Sequence, residues 1–497
     1  MAKSKKTKIQ KITNSPNNLD YLVFSLLVLI VVIFPLSFSL IYGGIVQGDE
    51  PYYHIRAAEA IKNGITDDRL TMDQREFIIV PLHYVMAGLG YLIGMNLTSI
   101  SLPIIFSIAI FIFFHLTLKN IIKIPRKRSL IEIILIISPS FIYLSSFLTQ
   151  HQLPILLTLM CMFFFTKKQS VYWPISLILV TILSFFSFFN FALAILLMLI
   201  YSKTMSNPSI KGRKNWIMMS VFGGISVIIL LGTKIFTQFS QPEIITFRNF
   251  ISDLGAETGF SIFLLVLFFM GLTEMWRNVK KDSENAYNQY YLAALLVFAL
   301  IFILYVGNEI NLYLIFLASF LAGNAFYYLF KTNWNFKLLK QLTIFLILCG
   351  LIFSSVSYIN KLSSEMRNQD FISAAQWLKE NTNENNLIFA HQKDGFFIQT
   401  VSNRKVLSDD LSFKDILFKE KTEDSDILLL SKNYQKTTRI IKKYDIKYLF
   451  LNKKLLEGAV WSEKDSGLLF LLRNTETFIK VFDNPSVVIY EIGKIEE

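Results

Sequence analysis

Apolar residues along this chain come in long blocks rather than at the spacing of a soluble amphipathic helix. The first block, 21–42, is long enough to cross the ~30 Å hydrocarbon layer of a bilayer. It exceeds the core of a signal peptide and has no small-residue cleavage site, so it reads as a retained span. Further blocks lie near 102–122, 130–149, 152–167, 173–188, 190–202, 216–236, 260–276, 289–306, 310–330 and 341–359. The pattern predicts about 11 membrane helices, with 173–202 readable as a short hairpin or as one long helix. Block 77–95 has the length to span but contains Pro81, His83, Gly88, Gly90 and Gly94. From about residue 362 the blocks give way to mixed sequence. There the pattern predicts an amphipathic helix over Gln369–Lys379 and strands over Leu387–His391, Asp426–Leu430 and Lys447–Leu451. A terminal strand pair follows at Thr477–Phe482 and Val487–Glu491. The predicted fold class is mainly α: a polytopic membrane helix bundle followed by a soluble α/β domain.

Composition agrees with the blocks. The 497 residues are 53% hydrophobic and only 17% charged, with a mean hydropathy of +0.46, whereas soluble domains carry about 25% charged residues. A net charge of +12 raises the question of nucleic acid, but the basic residues sit in clusters between apolar blocks, as in cytoplasmic loops facing anionic lipid. No nucleic-acid partner is implied. Cys161 and Cys349 both lie inside apolar blocks, which excludes a disulfide framework and a cysteine metal site.

The same clusters set an expected topology. Residues 1–20 hold Lys3, Lys5, Lys6, Lys8 and Lys11 against a single acid, Asp20, and form a cytoplasmic basic tail. The loop over 44–100 then lies outside. If 77–95 lies along the surface or re-enters, the Lys123–Arg128 cluster is cytoplasmic, and so are the later basic clusters. That choice makes 21–361 the membrane domain and 362–497 an extracytoplasmic α/β domain.

Chemistry concentrates just after the first block, in Gly48-Asp49-Glu50-Pro51-Tyr52-Tyr53-His54-Ile55-Arg56. Pro51 to Asn63 reads as a helix with Asp49 or Glu50 as its cap and Gly64 as its stop. A carboxylate at the end of a span sits at the depth of lipid phosphates. Glycosyl transfer from a polyprenyl-phosphate sugar needs a general base near the acceptor and a cation or metal on the departing phosphate. Asp49 suits the base, and Arg56 or a metal ion suits the phosphate.

The run Asp49–Arg56, followed by Ala57-Ala58-Glu59-Ala60-Ile61, resembles the first external loop of GT-C integral-membrane glycosyltransferases. The adjacent Asp-Glu is similar to protein O-mannosyltransferases and lipid A aminoarabinose transferases. The Asp-x-Pro-Tyr-Tyr-His-x-Arg run is similar to the archaeal oligosaccharyltransferase catalytic subunit, and Pro81-Leu82-His83-Tyr84 to a stretch of the same loop. The resemblance implies a GT-C type bundle, catalytic Asp49 and Glu50, and substrate contacts from Tyr53, His54, Arg56, His83 and Tyr84. Ser138–Ser146 resembles the outer end of the third span, beyond which oligosaccharyltransferases carry a metal motif. Here Thr149-Gln150-His151-Gln152 stands in that place, adding Gln150 and His151 to the substrate contacts and leaving Asp49 and His151 as candidate ligands for a divalent metal, Mg or Mn. The acidic loop 250–259 offers Asp253 or Glu257 beside an acceptor, and a solvated, capped turn explains it equally well. Ala390–Gln399 is similar in placement to the acceptor-reading motif of oligosaccharyltransferases, with its glycine and following aromatics but without the tryptophans and with the acid displaced.

The leading expectation is a membrane glycosyltransferase acting on the extracytoplasmic face, with a polyprenyl-phosphate-linked donor, a protein or glycan acceptor and the lipid bilayer as partners. An oligosaccharyltransferase-like N-glycosylation subunit is the alternative within that class. A lipid-linked glycan transporter and a catalytically silent membrane scaffold are the alternatives outside it.

Overall fold

The computed structural model describes residues 18–167, 172–186, 188–205, 223, 250–281, 310–415, 417–453, 461 and 466–495. The predicted spans near 216–236 and 289–306 and the N-terminal lysines lie outside the described residues. The first helices are α1 (Asn18–Ile41), α2 (Glu50–Asn63), α3 (Pro81–Ile93) and α4 (Met95–Ile121). Then come α5 (Pro125–Ile136), α6 (Pro139–Ser146), α7 (Gln152–Thr166), α8 (Tyr172–Leu183), α9 (Phe188–Met205), α10 (Ile262–Lys281), α11 (Ile310–Lys331) and α12 (Lys337–Glu365). Among the described residues four helices are long and apolar enough to cross a membrane, or five if α5 and α6 form one bent span. The chain is a multi-pass membrane protein.

One sequence expectation changes here. The block 130–149 is not one straight helix: α5 and α6 meet at 65°, where Pro139 starts the second of them. The segment 173–202, readable as a hairpin or as one long helix, is two helices, α8 and α9, with a turn at 184–186 after the first. Block 77–95 yields only the 13-residue α3, about 20 Å long and too short to cross. Its Tyr84, Val85, Tyr91, Leu92 and Ile93 are exposed, an apolar face of the kind that lies at a membrane boundary.

The C-terminal part begins with α13 (Gln369–Asn381) and continues with α14 (Gly395–Ser402), α15 (Phe418–Leu430) and α16 (Tyr434–Tyr444). Its five strands are β1 (Leu387–Ala390), β2 (Lys405–Val406), β3 (Ile446–Asn452), β4 (Phe478–Asp483) and β5 (Val487–Ile492), ordered β2-β1-β3-β5-β4. β1 is parallel to β2 and β3, while β5 is antiparallel to β3 and β4. The strand expected over Asp426–Leu430 is instead the end of α15. The buried positions of that helix are Lys421 and Leu428, seven residues apart on one face. A lysine on the inner face hides the helical period, and only the apolar run Ile427–Leu430 remains to read as a strand.

Lys421 is buried because two carboxylates neutralise it, one of them from the loop that follows α1 and α2. Its Nζ donates to Asp73 at 2.7 Å and to Asp415 at 3.0 Å. Arg75 of the same loop reaches both oxygens of Asp409 at 2.7 Å and Asp415 at 3.4 Å. Breaking one partner of a buried pair leaves an uncompensated charge, so these contacts fix the loop against the C-terminal domain. α14 packs directly on α2, with Tyr52 edge-on to Phe397 at 5.2 Å and Tyr53 beside Phe396 at 5.1 Å. Among the membrane helices, Gly271 of α10 lies where a methyl group would overlap the backbone of Leu321 on α11, and Gly323 of α11 stands in the same way against Ile131 on α5. Small residues are what let membrane helices approach this closely.

Candidate active site

Asp49 and Glu50 adjoin at the start of the same helix but meet different partners. Asp49 occupies the cap position of α2 without capping it. Its Oδ2 accepts the Phe396 N–H at 3.1 Å, and its Oδ1 accepts the Phe397 N–H at 2.9 Å, so it caps α14 in another part of the chain. Arg367 adds a contact to Oδ1 at 3.2 Å, and the same Nη2 reaches Asp394 at 3.0 Å. The guanidinium stacks over the Phe397 ring at 4.7 Å, and Arg367 also exchanges hydrogen bonds with Gln47. Burial pushes the Asp49 carboxyl up, against the opposing pull of Arg367 and the Phe397 amide. Both of its oxygens are committed inside the protein.

Glu50 turns to an open cleft and is 33% exposed. Its Oε1 accepts from His54 Nε2 at 3.0 Å and from the Gln150 N–H at 3.1 Å, while Oε2 has no partner among the described residues. Burial pushes this carboxyl up, but hydrogen bonds from His54 and the Gln150 N–H, with His151 nearby, act against it, and its pKa falls below the usual glutamate value. Glu50 is therefore ionised at neutral pH.

The opposite wall comes from loop 250–261 and the C-terminal domain. Glu257 pairs with Lys393, and its backbone carbonyl accepts from Tyr358. Ser140 on α6 donates to the carbonyls of Thr258 at 3.1 Å and Gly259 at 2.9 Å, holding this loop in place. Burial would raise the Glu257 carboxyl, yet Lys393 and Lys361 hold it low. Asp410 completes the wall without any hydrogen-bond partner among the described residues. Burial, with help from the charges of Asp409, Glu257 and Glu50, pushes it up to about 7. Glu50, Glu257, Asp410, Lys393 and His151 thus lie close enough to act on one another where the membrane domain meets the C-terminal domain, and that junction is the candidate reaction cleft.

No family model matches the sequence, and no curated protein does either. Solved structures do match. An Archaeoglobus fulgidus oligosaccharyltransferase, tethered with an acceptor peptide containing the NVT sequon, superposes with a TM-score of 0.60 at 14% identity, over 96% of this chain and 74% of that one. ArnT from Cupriavidus metallidurans, bound to undecaprenyl phosphate, gives 0.53 at 10% identity over 96% and 98% of the two chains. The arabinofuranosyltransferase AftD from mycobacteria gives 0.53 at 12% identity over 96% and 41%. These neighbours are GT-C glycosyltransferases. The fold is GT-C.

Within that GT-C frame the residues expected at the site divide into two groups. Glu50, His151, Glu257 and the backbone of Gln150 gather at the cleft, with His54 directly behind Glu50 and His83 behind His54. Asp49 does not face the cleft. Neither does Arg56, which is buried between Asp68 at 2.6 Å and Gln399 at 2.5 Å and so cannot meet a phosphate. Tyr53 is buried too; its hydroxyl accepts the Ile78 N–H at 2.7 Å and pins the loop. Tyr84 sits on the exposed face of α3, 62% accessible. Asp253 caps α10: its Oδ2 accepts the Ile262 N–H at 2.8 Å and the Ser354 hydroxyl at 3.2 Å. Lys393 and Asp410 belong to the cleft but were not among the sequence candidates. The only signal for them was their place in the domain similar to the acceptor-reading one.

A divalent metal was expected on Asp49 and His151. Both Asp49 oxygens are taken by N–H donors, and His151 Nδ1 faces the Tyr313 hydroxyl at 3.5 Å. Among the described residues no three His, Cys, Asp or Glu side chains converge as metal ligands, whereas catalytic metal sites take about three protein ligands. The expected pair does not fit a metal as arranged, and no step below runs through one.

Proposed function

We propose that this chain is a membrane glycosyltransferase that moves a sugar from a polyprenyl-phosphate donor to an acceptor hydroxyl or amide in this cleft, with Glu50 as the general base. The observation that carries the reading is the Glu50 carboxylate: ionised, open at Oε2, and set in the cleft of a GT-C fold. An ionised carboxylate takes the acceptor proton as the acceptor attacks the anomeric carbon and the sugar–phosphate bond breaks. The charge left on the lipid phosphate calls for a cation, and Lys393, 62% exposed on the facing wall, supplies it in place of the buried Arg56. The positive-inside distribution supports an extracytoplasmic cleft and C-terminal domain with the N-terminus in the cytoplasm.

The neighbours support the donor class. One ArnT structure is bound to undecaprenyl phosphate, and an archaeal oligosaccharyltransferase structure holds a dolichol-phosphate. A protein acceptor is a second reading, favoured by the acceptor peptide in the neighbour with the highest of these TM-scores. Membranes containing the protein, supplied with a polyprenyl-phosphate sugar, test the assignment. Glu50→Gln is expected to lower transfer by roughly 10²–10⁴-fold while the melting temperature stays within a few degrees. Undiminished transfer by this variant overturns the base assignment. Peptides with and without an Asn-x-Thr sequence, offered as acceptors, separate the protein reading from the glycan reading.

A further inference from the structure

Behind Glu50 lies a hydrogen-bonded chain that runs into the protein. His54 Nε2 meets Glu50 Oε1 at 3.0 Å, and His54 Nδ1 meets His83 Nε2 at 2.8 Å. The Val80 N–H donates to His83 Nδ1 at 3.1 Å. Both rings are fully buried. Residues 54 and 83 lie on different helices, α2 and α3, so their meeting is a product of tertiary packing.

The direction of this chain follows from its inner end. A backbone N–H only donates, so His83 Nδ1 must carry a lone pair. The His83 proton therefore sits on Nε2 and points at His54 Nδ1, which must accept it. The His54 proton is then on Nε2 and points at Glu50. Every link is a donor facing an acceptor: Val80 to His83, His83 to His54, His54 to Glu50. A second proton on either ring would set two N–H groups against each other in a buried, dry place. Burial also pushes His83 well below the usual histidine range. The other titratable groups around the chain are Tyr53, edge-on to both rings, and His151, Tyr143 and Asp410 around Glu50. Tyr53 lies nearest the inner end, where its hydroxyl is tied to the Ile78 backbone at 2.7 Å, and the N–H that His83 Nδ1 accepts comes from Val80.

We infer that His54 and His83 are positioning residues whose fixed, neutral tautomers tie down Glu50 Oε1 and leave Oε2 as the sole proton acceptor toward the substrate. The inference rests on Glu50 being the base. It makes the base insensitive to histidine titration: a free imidazole beside a carboxylate would charge between pH 5 and 8 and weaken the base there, and the Val80 N–H forbids that.

The test is the pH profile of kcat/KM for three variants in membranes or detergent, with melting temperature as the folding control. His54→Gln retains an N–H for Glu50 and cannot ionise, so it should keep activity within about fivefold. His54→Leu removes the donor; kcat should fall by about tenfold or more with KM little changed, and the acid limb should move upward by about one pH unit. In His83→Gln the amide can either donate to His54 or accept from it, which unlocks the ring. That variant should match wild type at pH 8 and gain a new acid limb between pH 5 and 8. Wild-type profiles in both His54→Leu and His83→Gln overturn the inference. If His54→Leu does not fold, the profile of His83→Gln decides alone. Loss of transfer in Glu50→Gln together with unchanged histidine variants would sink the relay and keep the base, whereas an active Glu50→Gln would remove the base reading first.

Discussion

At the scale of single residues, the two neighbouring acids carry different duties. Asp49 holds the N-terminal amides of α14 and the buried Arg367. Replacing it with Asn leaves Arg367 short of one charge partner and should cost about 3 kcal/mol of stability, read as a lower melting temperature. Asp410 behaves in the opposite way. Its folded pKa of about 7 lies above its ordinary value of 3.8, so the folded state binds its proton more tightly than the unfolded state. The stability linked to that proton is full below about pH 4 and is lost as pH rises through 7. Asp410→Asn removes the dependence, so its melting temperature should gain on wild type between pH 5 and pH 8. An equal difference at both pH values would contradict the assignment. The sequence located the acidic pair at a membrane edge but could not assign the roles. Successive residues on a helix point about 100° apart, and what each meets depends on residues 100 and 347 positions away. His83 is likewise 29 residues from His54, and no local spacing announces their contact.

At the scale of elements, length and apolarity made most of the membrane helices legible, together with α13 and four of the five strands. α2 was read from Pro51 and Gly64, and Gly64 does end it in the left-handed conformation, at φ 66°. α15 was misread because its buried face carries Lys421, whose partners Asp73 and Asp415 are supplied by other elements. The shortness of α3 follows from Pro81 at its start and Gly94 at its end. Packing between elements is where substitution bites hardest. Gly271→Ala pushes a methyl group into the backbone of Leu321 and should destabilise the α10–α11 contact by about 1–3 kcal/mol. Thermal melting in detergent measures this, and Gly88→Ala, which meets nothing within 4 Å, is the control.

At the scale of the whole molecule, the membrane domain, the loop after α1 and the C-terminal domain share one core, in which Tyr52 and Tyr53 of α2 pack with Phe396 and Phe397 of α14. The loop and the C-terminal domain must therefore face the same compartment. A reporter fused after Arg128 is expected to report cytoplasm and one fused at the C-terminus the outside; a cytoplasmic signal from the C-terminal fusion would contradict the positive-inside assignment. The Asp49–Arg367 pair also sets a schedule for biogenesis, because its members are 318 residues apart. At roughly 5–20 residues per second, the ribosome needs about 15–60 s between them. Through that interval the first loop has left the bilayer with its carboxylates and aromatic rings unclaimed, since α14 and Arg367 do not yet exist. The newborn chain is thus most open to proteolysis and chaperone capture at the segment that later forms its reaction cleft, and a chain that stalls before residue 367 has no means of closing it.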